Sequence, residues 1–468
     1  MNQKDIPFNT PAMKVKMLKR DPSDYLRETK ADIHKVPRNF DPELHPFESN
    51  REYVRAINAA KLERVFAKPF LGALDGHGDG VTALKAHPQR LSCAASASAD
   101  GEIRIWDLTR RKCIKILQGH DSRSLVRGIT FNATGDRIIS IADDKKILTW
   151  EVSIDDDHHD PLSLNPITQP LESITSKNMV TGITHHRAHN SFATCGEGSV
   201  LLWDSGRTHP VKQFDWGVDS VHTVKFNQIE TNILGACASD RSIILYDIRA
   251  KTPAIRKVIM DLRTNAIAWN PMEAFVFVTA NEDYNCYAFD SRHLKRPLNV
   301  HMDHVGAVID VEYAPTGKEF VSGSYDKTIR IFPTDSGHSR EVYHTKRMQR
   351  LTCVAWSKDN RYILSGSDEM NIRLWKAKAW EKLGLLKDRQ KAALDYNEKL
   401  KEKYSAHPKI KRIVKKRHVP KHVMNAEKEH RIIKDSKKKK DANRRAHSKP
   451  GSVPYNAERD KHILEEQE

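Results

Sequence analysis

A run of lysine and arginine near the C-terminal end offers the clearest chemistry in this sequence. Residues 407–449 carry 17 Lys and Arg against four Asp and Glu. Such a concentrated positive field attracts a polyanion, because each cation that neutralises a backbone phosphate releases a counterion. The cations expected to contact phosphate are Lys415, Lys416, Arg417, Lys437, Lys438, Lys439, Lys440, Arg444 and Arg445.

No aromatic side chain lies inside this basic run, and only Tyr404 and Tyr455 flank it. Stacking on bases is therefore not expected, so binding should be directed at phosphates, sensitive to salt and indifferent to base sequence. Two plainer interpretations stay open for the same residues: a solvated tail, or a nuclear-import signal with no other role.

The net charge of the chain, +17, is concentrated in the same region. Residues 376–468 hold 28 Lys and Arg against 14 Asp and Glu, a net charge of +14 that leaves +3 for the first 375 residues. This distribution favours nucleic acid as a partner. The apolar runs are much shorter than the roughly 20 residues of a membrane-spanning helix, and the N-terminus lacks the apolar stretch of a secretory signal. A membrane partner is therefore not expected.

The other reactive side chains form no catalytic pattern. The sequence shows no nucleophile elbow, Gly-rich phosphate loop or paired acid and base at coherent spacing, so we expect no enzyme activity, cofactor or small-molecule substrate. No metal site is expected either. The Asp- and His-rich segment 155–160, together with His185, His186 and His189, is assigned to surface loops. The cysteines lack zinc-ligand spacing and are expected to be reduced: Cys93, Cys113, Cys195, Cys237, Cys286 and Cys353.

A repeat of fixed period supplies the framework for these residues. Seven aromatic residues follow one another at separations of 44, 53, 43, 43, 43 and 43 residues: Trp106, Trp150, Trp203, Tyr246, Phe289, Phe332 and Trp375. Six positions before each stands an acid: Asp100, Asp144, Glu197, Asp240, Asp283, Asp326 and Glu369. A period of about 40 to 45 residues is that of a four-stranded propeller blade. A carboxylate at a fixed offset can accept the free N–H groups of a tight turn.

Two dipeptides sharpen this interpretation. Gly76-His77 and Gly119-His120 precede repeats, and Trp106-Asp107 and Trp203-Asp204 end them, as in the WD-repeat family that this chain resembles. Later repeats depart from it, with Phe332-Pro333 in place of Trp-Asp. The resemblance implies an all-β, seven-bladed WD-repeat β-propeller. Its structural positions would include His77, Asp100, Trp106, His120, Asp144, Trp150, Trp203, Asp240, Asp326 and Trp375.

The ends of the chain complete a three-part organisation. Residues 1–64 predict an extended polar arm with a short helix over residues 48–63, residues 65–375 the propeller, and residues 376–468 a basic helical C-terminal domain that begins with a helix over residues 380–404. Since the sequence after Trp375 is helical, it cannot supply the last outer strand. Residues 65–73 are therefore expected to close the ring.

The two ends also carry a more specific resemblance. Segments 39–48, 51–53 and 61–70 resemble the N-terminal part of the Sof-type family, named as suppressors of fibrillarin defects, and segments 418–421 and 443–454 resemble its C-terminal domain. The resemblance implies a non-catalytic scaffold of the small-subunit processome, in the nucleolus of the nucleus, needed for pre-rRNA processing and 40S ribosomal subunit assembly. The implied partners are pre-rRNA, the box C/D small nucleolar RNP and other processome proteins.

An alternative function comes from the same family. Its animal members are also regarded as substrate receptors of a cullin-RING ubiquitin ligase, whose adaptor they contact. Such receptors carry an apolar residue before Trp-Asp-x-Arg, and Leu245-Tyr246-Asp247-Ile248-Arg249 is similar with Tyr for Trp. Tyr246, Asp247 and Arg249 are thus candidate adaptor contacts. In the competing interpretation Arg249 is an ordinary surface residue and Asp247 is part of the repeat.

Overall fold

The computed structural model describes residues 47–152, 166–250, 254–455 and 457–467. Residues 1–46 of the arm predicted over residues 1–64, and the Asp-rich segment 155–160, lie outside the described residues. The chain forms two compact units. One combines the described part of Met1–Val65 with Gly384–Val414, and the other combines Phe66–Leu383 with Lys415–Glu468.

The first unit is helical. Helix α1 covers Glu48–Val65, helix α2 Asp388–Lys403 and helix α3 Pro408–Lys415. Their shared core contains Ala56, Leu400 and Ile410, with Tyr53 and Tyr404 packed against it. The smallness of Ala56 brings α1 close to its neighbours, so a short apolar stripe suffices to hold the unit.

Two predicted bounds need correction. The helix expected over residues 380–404 begins only at Asp388. Gly384, with φ 101°, adopts a left-handed conformation that no α-helix contains. At the other end, Val65 is the last residue of α1 and belongs to no strand.

The second unit contains the strands. Their bounds are β1 Phe70–Leu74, β2 Val81–Ala86, β3 Cys93–Ser98, β4 Glu102–Asp107, β5 Lys112–Gln118, β6 Val126–Phe131, β7 Arg137–Ala142, β8 Lys146–Glu151, β9 Glu172–Thr175, β10 Val180–His185, β11 Ser191–Asp204, β12 Lys212–Phe226, β13 Ile233–Ala238, β14 Ser242–Asp247, β15 Ala254–Met260, β16 Thr264–Trp269, β17 Val276–Asn281, β18 Asn285–Asp290, β19 Asn299–Met302, β20 Val308–Tyr313, β21 Glu319–Ser324, β22 Ile329–Pro333, β23 Glu341–Tyr343, β24 Leu351–Trp356, β25 Tyr362–Ser367, β26 Ile372–Lys376 and β27 Ile463–Gln467. The same unit holds helix α4, Lys421–Ala446, and a 3-10 helix, Glu458–His462.

The strands form seven antiparallel blades arranged as a ring. Blades 1, 2, 5, 6 and 7 are separate four-stranded sheets that begin at β2, β6, β16, β20 and β24. Blades 3 and 4 share one seven-stranded sheet, because β11 and β12 are each long enough to serve two successive strand positions. The innermost strand β2 neighbours both β6 and β24, so the ring is closed. The predicted all-β, seven-bladed propeller is confirmed.

Side-chain hydrogen bonds join the innermost strands of neighbouring blades. In each case a Thr hydroxyl or Asn amide near the start of one innermost strand donates to a backbone carbonyl of the next blade. The pairs are Thr82 to Val126 at 2.6 Å, Thr181 to Val221 at 2.6 Å, Thr223 to Asn265 at 2.8 Å, Asn265 to Val308 at 2.8 Å, and Thr352 to Val81. The last pair links blade 7 to blade 1 and therefore spans the closure of the ring.

Strand β1 completes blade 7 as its outermost strand. It pairs antiparallel with β26, with Phe70 opposite Trp375 and Leu74 opposite Ile372. Leu74 is 1% exposed and lies in a core that joins blades 7 and 1. The closing strand thus begins five residues later than the predicted segment 65–73, because α1 extends through Val65.

A buried polar network fixes the inner turn of blade 2. Nδ1 of His120 lies 3.0 Å from a carboxylate oxygen of Asp144, and its Nε2 lies 2.8 Å from the hydroxyl of Ser140. The indole of Trp150 donates to the same hydroxyl at 2.9 Å. Asp144 also accepts the backbone N–H two residues further along, and so do Asp100, Asp240, Asp283 and Asp326. Equivalent indole-to-hydroxyl bonds join Trp106 to Ser96, Trp203 to Thr194 and Trp375 to Ser365.

Two of the three histidines assigned to a surface loop lie elsewhere. His185 is the last residue of β10, is partly buried and lines a cavity. His186, expected at the surface, is buried, and its Nδ1 accepts the backbone N–H groups of Ala188 at 3.1 Å and His189 at 2.9 Å. Its ring also packs edge-on against Phe226. The His186 ring therefore supplies an acceptor for two backbone N–H groups of a tight turn, which are shielded from water.

The cysteines are unpaired, as predicted. Burial raises the pKa of Cys93, Cys195 and Cys353 to about 12, so these thiols stay protonated and act as packing groups. Among the described residues, every helix is too short or too polar to span a bilayer.

Buried histidines should make the stability of the propeller depend on pH. Burial lowers the pKa of His77, His222 and His301 to about 4. Between pH 4 and the unfolded value near 6.5, the unfolded chain therefore binds more protons, so stability is complete above that value and falls as the pH drops. We expect a loss of about 1.4 kcal/mol per pH unit in this window for each of the deeply buried His77 and His301, and a smaller loss for the half-buried His222, whose charge water screens.

Urea unfolding at about pH 5 and about pH 7 measures this dependence. His301→Gln should reduce the slope by one histidine's share, because the amide can still donate to the carbonyl of Ser336 that accepts from His301 at 2.8 Å. His209→Gln, at an exposed position, serves as the control and should leave the slope unchanged. Equal slopes for all three proteins would contradict the assignment.

Candidate nucleic-acid interface

The segment that leads into the basic helix is fixed to blade 6. Nε of Arg417 lies 3.6 Å from a carboxylate oxygen of the buried Glu341, and the guanidinium donates to the carbonyl of Arg340. The Arg417 side chain is only 15% exposed. Arg417 was predicted as a phosphate contact, but in the structure its charge is committed to Glu341, which makes it an anchor of the tail.

A histidine pair continues this anchor. Nε2 of His344 lies 3.0 Å from Nδ1 of His418, and the two rings stack at 5.2 Å between centroids. Burial and the neighbouring His418 lower the pKa of His344. The chain therefore enters helix α4 from two successive contacts with the propeller.

Helix α4 lies against blade 5 along one of its faces. Val423 is buried, the His430 ring is 5.3 Å from the ring of Tyr284, and Nζ of Lys434 lies 3.2 Å from the sulfur of Met302. Seven residues separate Val423 from His430 and four separate His430 from Lys434, which places all three on one side of the helix. The opposite side faces solvent.

The cations beyond this contact face are at the surface. Lys437, Lys438, Lys439, Lys440 and Arg444 are all exposed, as are Lys415 and Lys416 before the helix. At 1.5 Å per residue, α4 is about 39 Å long, and it carries ten Lys and Arg against four Asp and Glu. The result is a cationic rod whose position is set by the propeller.

The chain is tied down again after the helix. The guanidinium of Arg445 lies 4.8 Å from the ring centroid of Tyr455, and Arg296 of blade 5 binds Asp460 through two bonds of 2.8 and 3.0 Å. Strand β27 then pairs antiparallel with β15 and becomes a fifth strand of blade 4. Sequence reasoning missed β27, because five residues with two acids among them give no strand pattern that stands out.

The candidate adaptor contacts lie on blade 4. Asp247 accepts three hydrogen bonds from Arg249: from its backbone N–H at 2.9 Å and from two guanidinium nitrogens at 3.2 Å. The Arg249 side chain is largely exposed, whereas Tyr246 is fully buried. Any partner contact at this site therefore falls on Asp247 and Arg249, while Tyr246 supports them from inside the blade.

Blade 5 repeats this arrangement. Asp290 accepts from the backbone N–H of Arg292 at 3.0 Å and from its guanidinium at 3.1 and 2.8 Å. The guanidinium carbon of Arg292 also lies 4.4 Å from the ring centroid of Phe275. The sequence signal was present, since Asp290 and Arg292 follow Phe289 with the spacing that Asp247 and Arg249 have after Tyr246.

One group of side chains in the described residues has metal-ligand geometry. Ligand atoms of His77, Asp100 and Glu102 lie within 4.8 Å of one another. Asp100, however, accepts the N–H groups of Gly78 and Glu102, both at 3.1 Å, and Glu102 pairs with Arg104 at 2.9 Å. These contacts assign the group to the inner turn of blade 1.

Comparisons with known proteins agree with this architecture. A sequence profile described as the Sof1-like domain matches residues 377–463, and the WD domain, G-beta repeat, matches residues 68–107, 111–151, 295–332 and 336–376.

Similar proteins extend the match to 97% of the chain. A human protein named DDB1- and CUL4-associated factor 13 is 56% identical over 452 residues, covering 97% of this chain and 99% of that protein. The Xenopus tropicalis protein of the same name is 54% identical with the same coverage. Protein SOF1 of Saccharomyces cerevisiae is 44% identical over 472 residues, covering 97% of this chain and 94% of that protein. With propeller and C-terminal domain both matched, this chain belongs to the Sof1-like family of WD-repeat proteins.

Proposed function

We propose that this chain is a non-catalytic scaffold of the small-subunit processome in the nucleolus, where it binds pre-rRNA and neighbouring proteins during 40S ribosomal subunit assembly. The observation that carries the proposal is the fixed position of α4. Arg417 and β27 tie the helix region to the propeller at both ends, while Lys437–Lys440 stay at the surface. A scaffold needs this combination, because it must hold nucleic acid at a defined place relative to its protein surfaces.

The chemistry of α4 favours the backbone of folded RNA as the ligand. Its exposed cations are mostly lysines, with Arg431 and Arg444, and no Phe, Trp or Tyr lies among them, so they supply charge and no stacking platform for bases. Specificity would then come from the position in which the propeller presents the helix. The box C/D small nucleolar RNP and other processome proteins are the partners that we propose to define that position.

The experiment is ultraviolet crosslinking and purification of the intact chain and of a version that ends at Lys376, with sequencing of the attached RNA. We expect the intact chain to recover small-subunit pre-rRNA and a box C/D guide RNA, and the shortened chain to lose them or to hold them only at low salt. Recovery of the same RNA by both chains at high salt would exclude the C-terminal segment as the RNA contact.

The paired Asp–Arg motifs favour a second candidate function, that of a substrate receptor of a cullin-RING ubiquitin ligase. Relatives of this chain are named for association with DDB1 and CUL4. Arg249 and Arg292 present two exposed guanidiniums on adjacent blades, each oriented by a bidentate carboxylate. Such preorganisation suits a polar protein contact, because less side-chain entropy is lost on binding.

Substitution of these arginines tests the receptor function. Arg249→Ala and Arg292→Ala should each weaken binding to the DDB1 adaptor by about tenfold, and RNA recovery should stay unchanged, since α4 is untouched. Arg207→Ala is the control: Arg207 is equally exposed but stands one residue later and reaches Asp204 only at 3.7 Å. Affinity that is unchanged by both test substitutions would remove the receptor function from consideration.

A further inference from the structure

A polar cavity at the centre of the propeller is separate from the proposed RNA contact on α4 and from the Asp–Arg pairs of blades 4 and 5. It has a volume of about 530 Å³ and is lined by innermost strands of several blades. Its lining includes Lys85, Lys225, Tyr313, Trp356 and His185, none of which lies on α4 or beside an Asp–Arg pair. What binds there is therefore independent of the proposed function.

Two lysines from different blades meet in this cavity. Lys85 comes from β2 of blade 1 and Lys225 from β12 of blade 4, and their side chains are neighbours. Burial and the Lys85 charge lower the pKa of Lys225 to about 7. Burial opposes the charge of Lys85, but the charges of Glu312 and Asp310 outweigh it and raise the pKa of Lys85, so this ammonium stays protonated.

Two acids, Asp310 and Glu312, line the same cavity. The two carboxylate oxygens of Asp310 accept the N–H groups of Val311 and Val354, each at 2.9 Å. Glu312 accepts the N–H of Trp356 at 3.2 Å. The bonds from Val354 and Trp356 hold blade 7 against blade 6. The lining also carries two further basic side chains, Arg187 and Lys358, so its cations outnumber these two acids.

Two buried donors on the cavity wall lack an acceptor. The Tyr313 side chain is 6% exposed and Trp356 1%, and neither the Tyr313 hydroxyl nor the Trp356 indole N–H has a hydrogen-bond partner. Burial raises the pKa of Tyr313, so its hydroxyl remains a donor. An unsatisfied buried polar group costs about 1 to 3 kcal/mol, so such groups in one cavity indicate a ligand that accepts from them.

The fifth group is an acceptor. Nδ1 of His185 lies 2.7 Å from the carbonyl of His186 and therefore carries the ring proton. Burial lowers the pKa of His185, so the ring is neutral and presents a lone pair at Nε2, which also has no partner.

We propose that this cavity binds a small phosphorylated molecule. The Lys85 ammonium, a phenol and an indole donate to phosphoryl oxygens, and so does Lys225, whose charged form a bound anion favours. Nε2 of His185 accepts the proton of the monoprotonated phosphate. The cavity is in the range of about 300 to 1,000 Å³ that holds ligands of nucleotide size, and it is much larger than a free phosphate ion. The ligand is therefore a phosphate ester rather than inorganic phosphate.

Isothermal titration of the full chain with inorganic phosphate, adenosine monophosphate and inositol hexakisphosphate, each in a separate experiment, tests this site. We expect one of the two esters to bind more tightly than inorganic phosphate. Lys225→Met should weaken that ester by about tenfold or more, and Tyr313→Phe, which keeps the packing against Phe320, by about threefold to tenfold. Thermal unfolding checks that both variants are folded.

Two controls separate the cavity from the basic helix. Lys112→Met, at an exposed position of blade 1, removes one positive charge and should leave affinity unchanged. A variant with glutamine at residues 437–440 and 444 should bind the ester as the native chain does, even if its RNA binding fails. The proposal is overturned if none of the three anions binds at millimolar concentration, or if Lys225→Met and Lys112→Met bind equally well.

Discussion

Replacing Lys437, Lys438, Lys439, Lys440 and Arg444 by glutamine is expected to weaken binding to structured RNA by about a hundredfold or more at physiological salt. All five side chains are exposed and come after the last contact residue of α4, Lys434. The substitutions therefore leave the contacts of Val423, His430 and Lys434 unchanged. If each cation neutralises one phosphate, the slope of log K against log salt should become shallower by about 3.5 to 4.5. Fluorescence anisotropy with a labelled rRNA fragment over a range of salt concentrations measures both quantities.

A control with equal charge change distinguishes position from net charge. Five exposed cations scattered over the propeller are replaced by glutamine in the control variant: Lys112, Lys177, Lys295, Lys346 and Arg361. This variant should lose only a small part of the affinity, because separated charges focus the field poorly. Equal losses in the two variants would show that net charge alone governs binding and that α4 is no interface.

The second large effect concerns ring closure. Leu74→Asp is expected to lower the free energy of unfolding by about 4 kcal/mol or more, because a carboxylate would be buried without a partner at a position that is 1% exposed. The damage should concentrate on blade 7, since β1 is the pairing partner of β26. Hydrogen exchange of the backbone amides of Ile372–Lys376 should accelerate more than that of blades 3 and 5. Urea unfolding gives the total change.

Leu91→Asp provides the matched comparison for this substitution. Leu91 is 57% exposed, so the same chemical change should alter stability by no more than about 0.5 kcal/mol. A Leu74→Asp protein as stable as the Leu91→Asp protein would mean that β1 is dispensable and that the other blades hold the ring together.

The repeat framework could be predicted because it obeys a fixed spacing. Asp144 and Trp150 stand six residues apart for a physical reason: the acid closes a turn and the indole reaches a hydroxyl on the neighbouring strand. Every blade must solve the same problem, so the pattern recurs along the sequence. Departures such as Phe332 for Trp leave the number of blades unchanged, because packing in the core tolerates another aromatic ring.

The anchoring of the tail could not be predicted in the same way. In the sequence, Arg417 is one of several cations in a basic run. Only its ion pair with the buried Glu341 of blade 6, which is remote in the chain, distinguishes its role from theirs. Pairing of β27 with β15 likewise depends on an edge that is remote in the chain. By contrast, the pair of Asp290 and Arg292 could have been predicted from the sequence, because its spacing is the same as that of Asp247 and Arg249 in blade 4.

The pairing of β1 with β26 also determines when the ring can close during synthesis of the chain. Phe70 is translated about 300 residues before Trp375, so at roughly 5 to 20 residues per second the first strand waits on the order of 15 to 60 s for its partner. During that interval six blades can form in succession, but the arc they make has two open ends. The nascent chain is therefore most exposed to aggregation shortly before blade 7 leaves the ribosome, and a chaperone that covers strand edges should have its greatest effect at that moment.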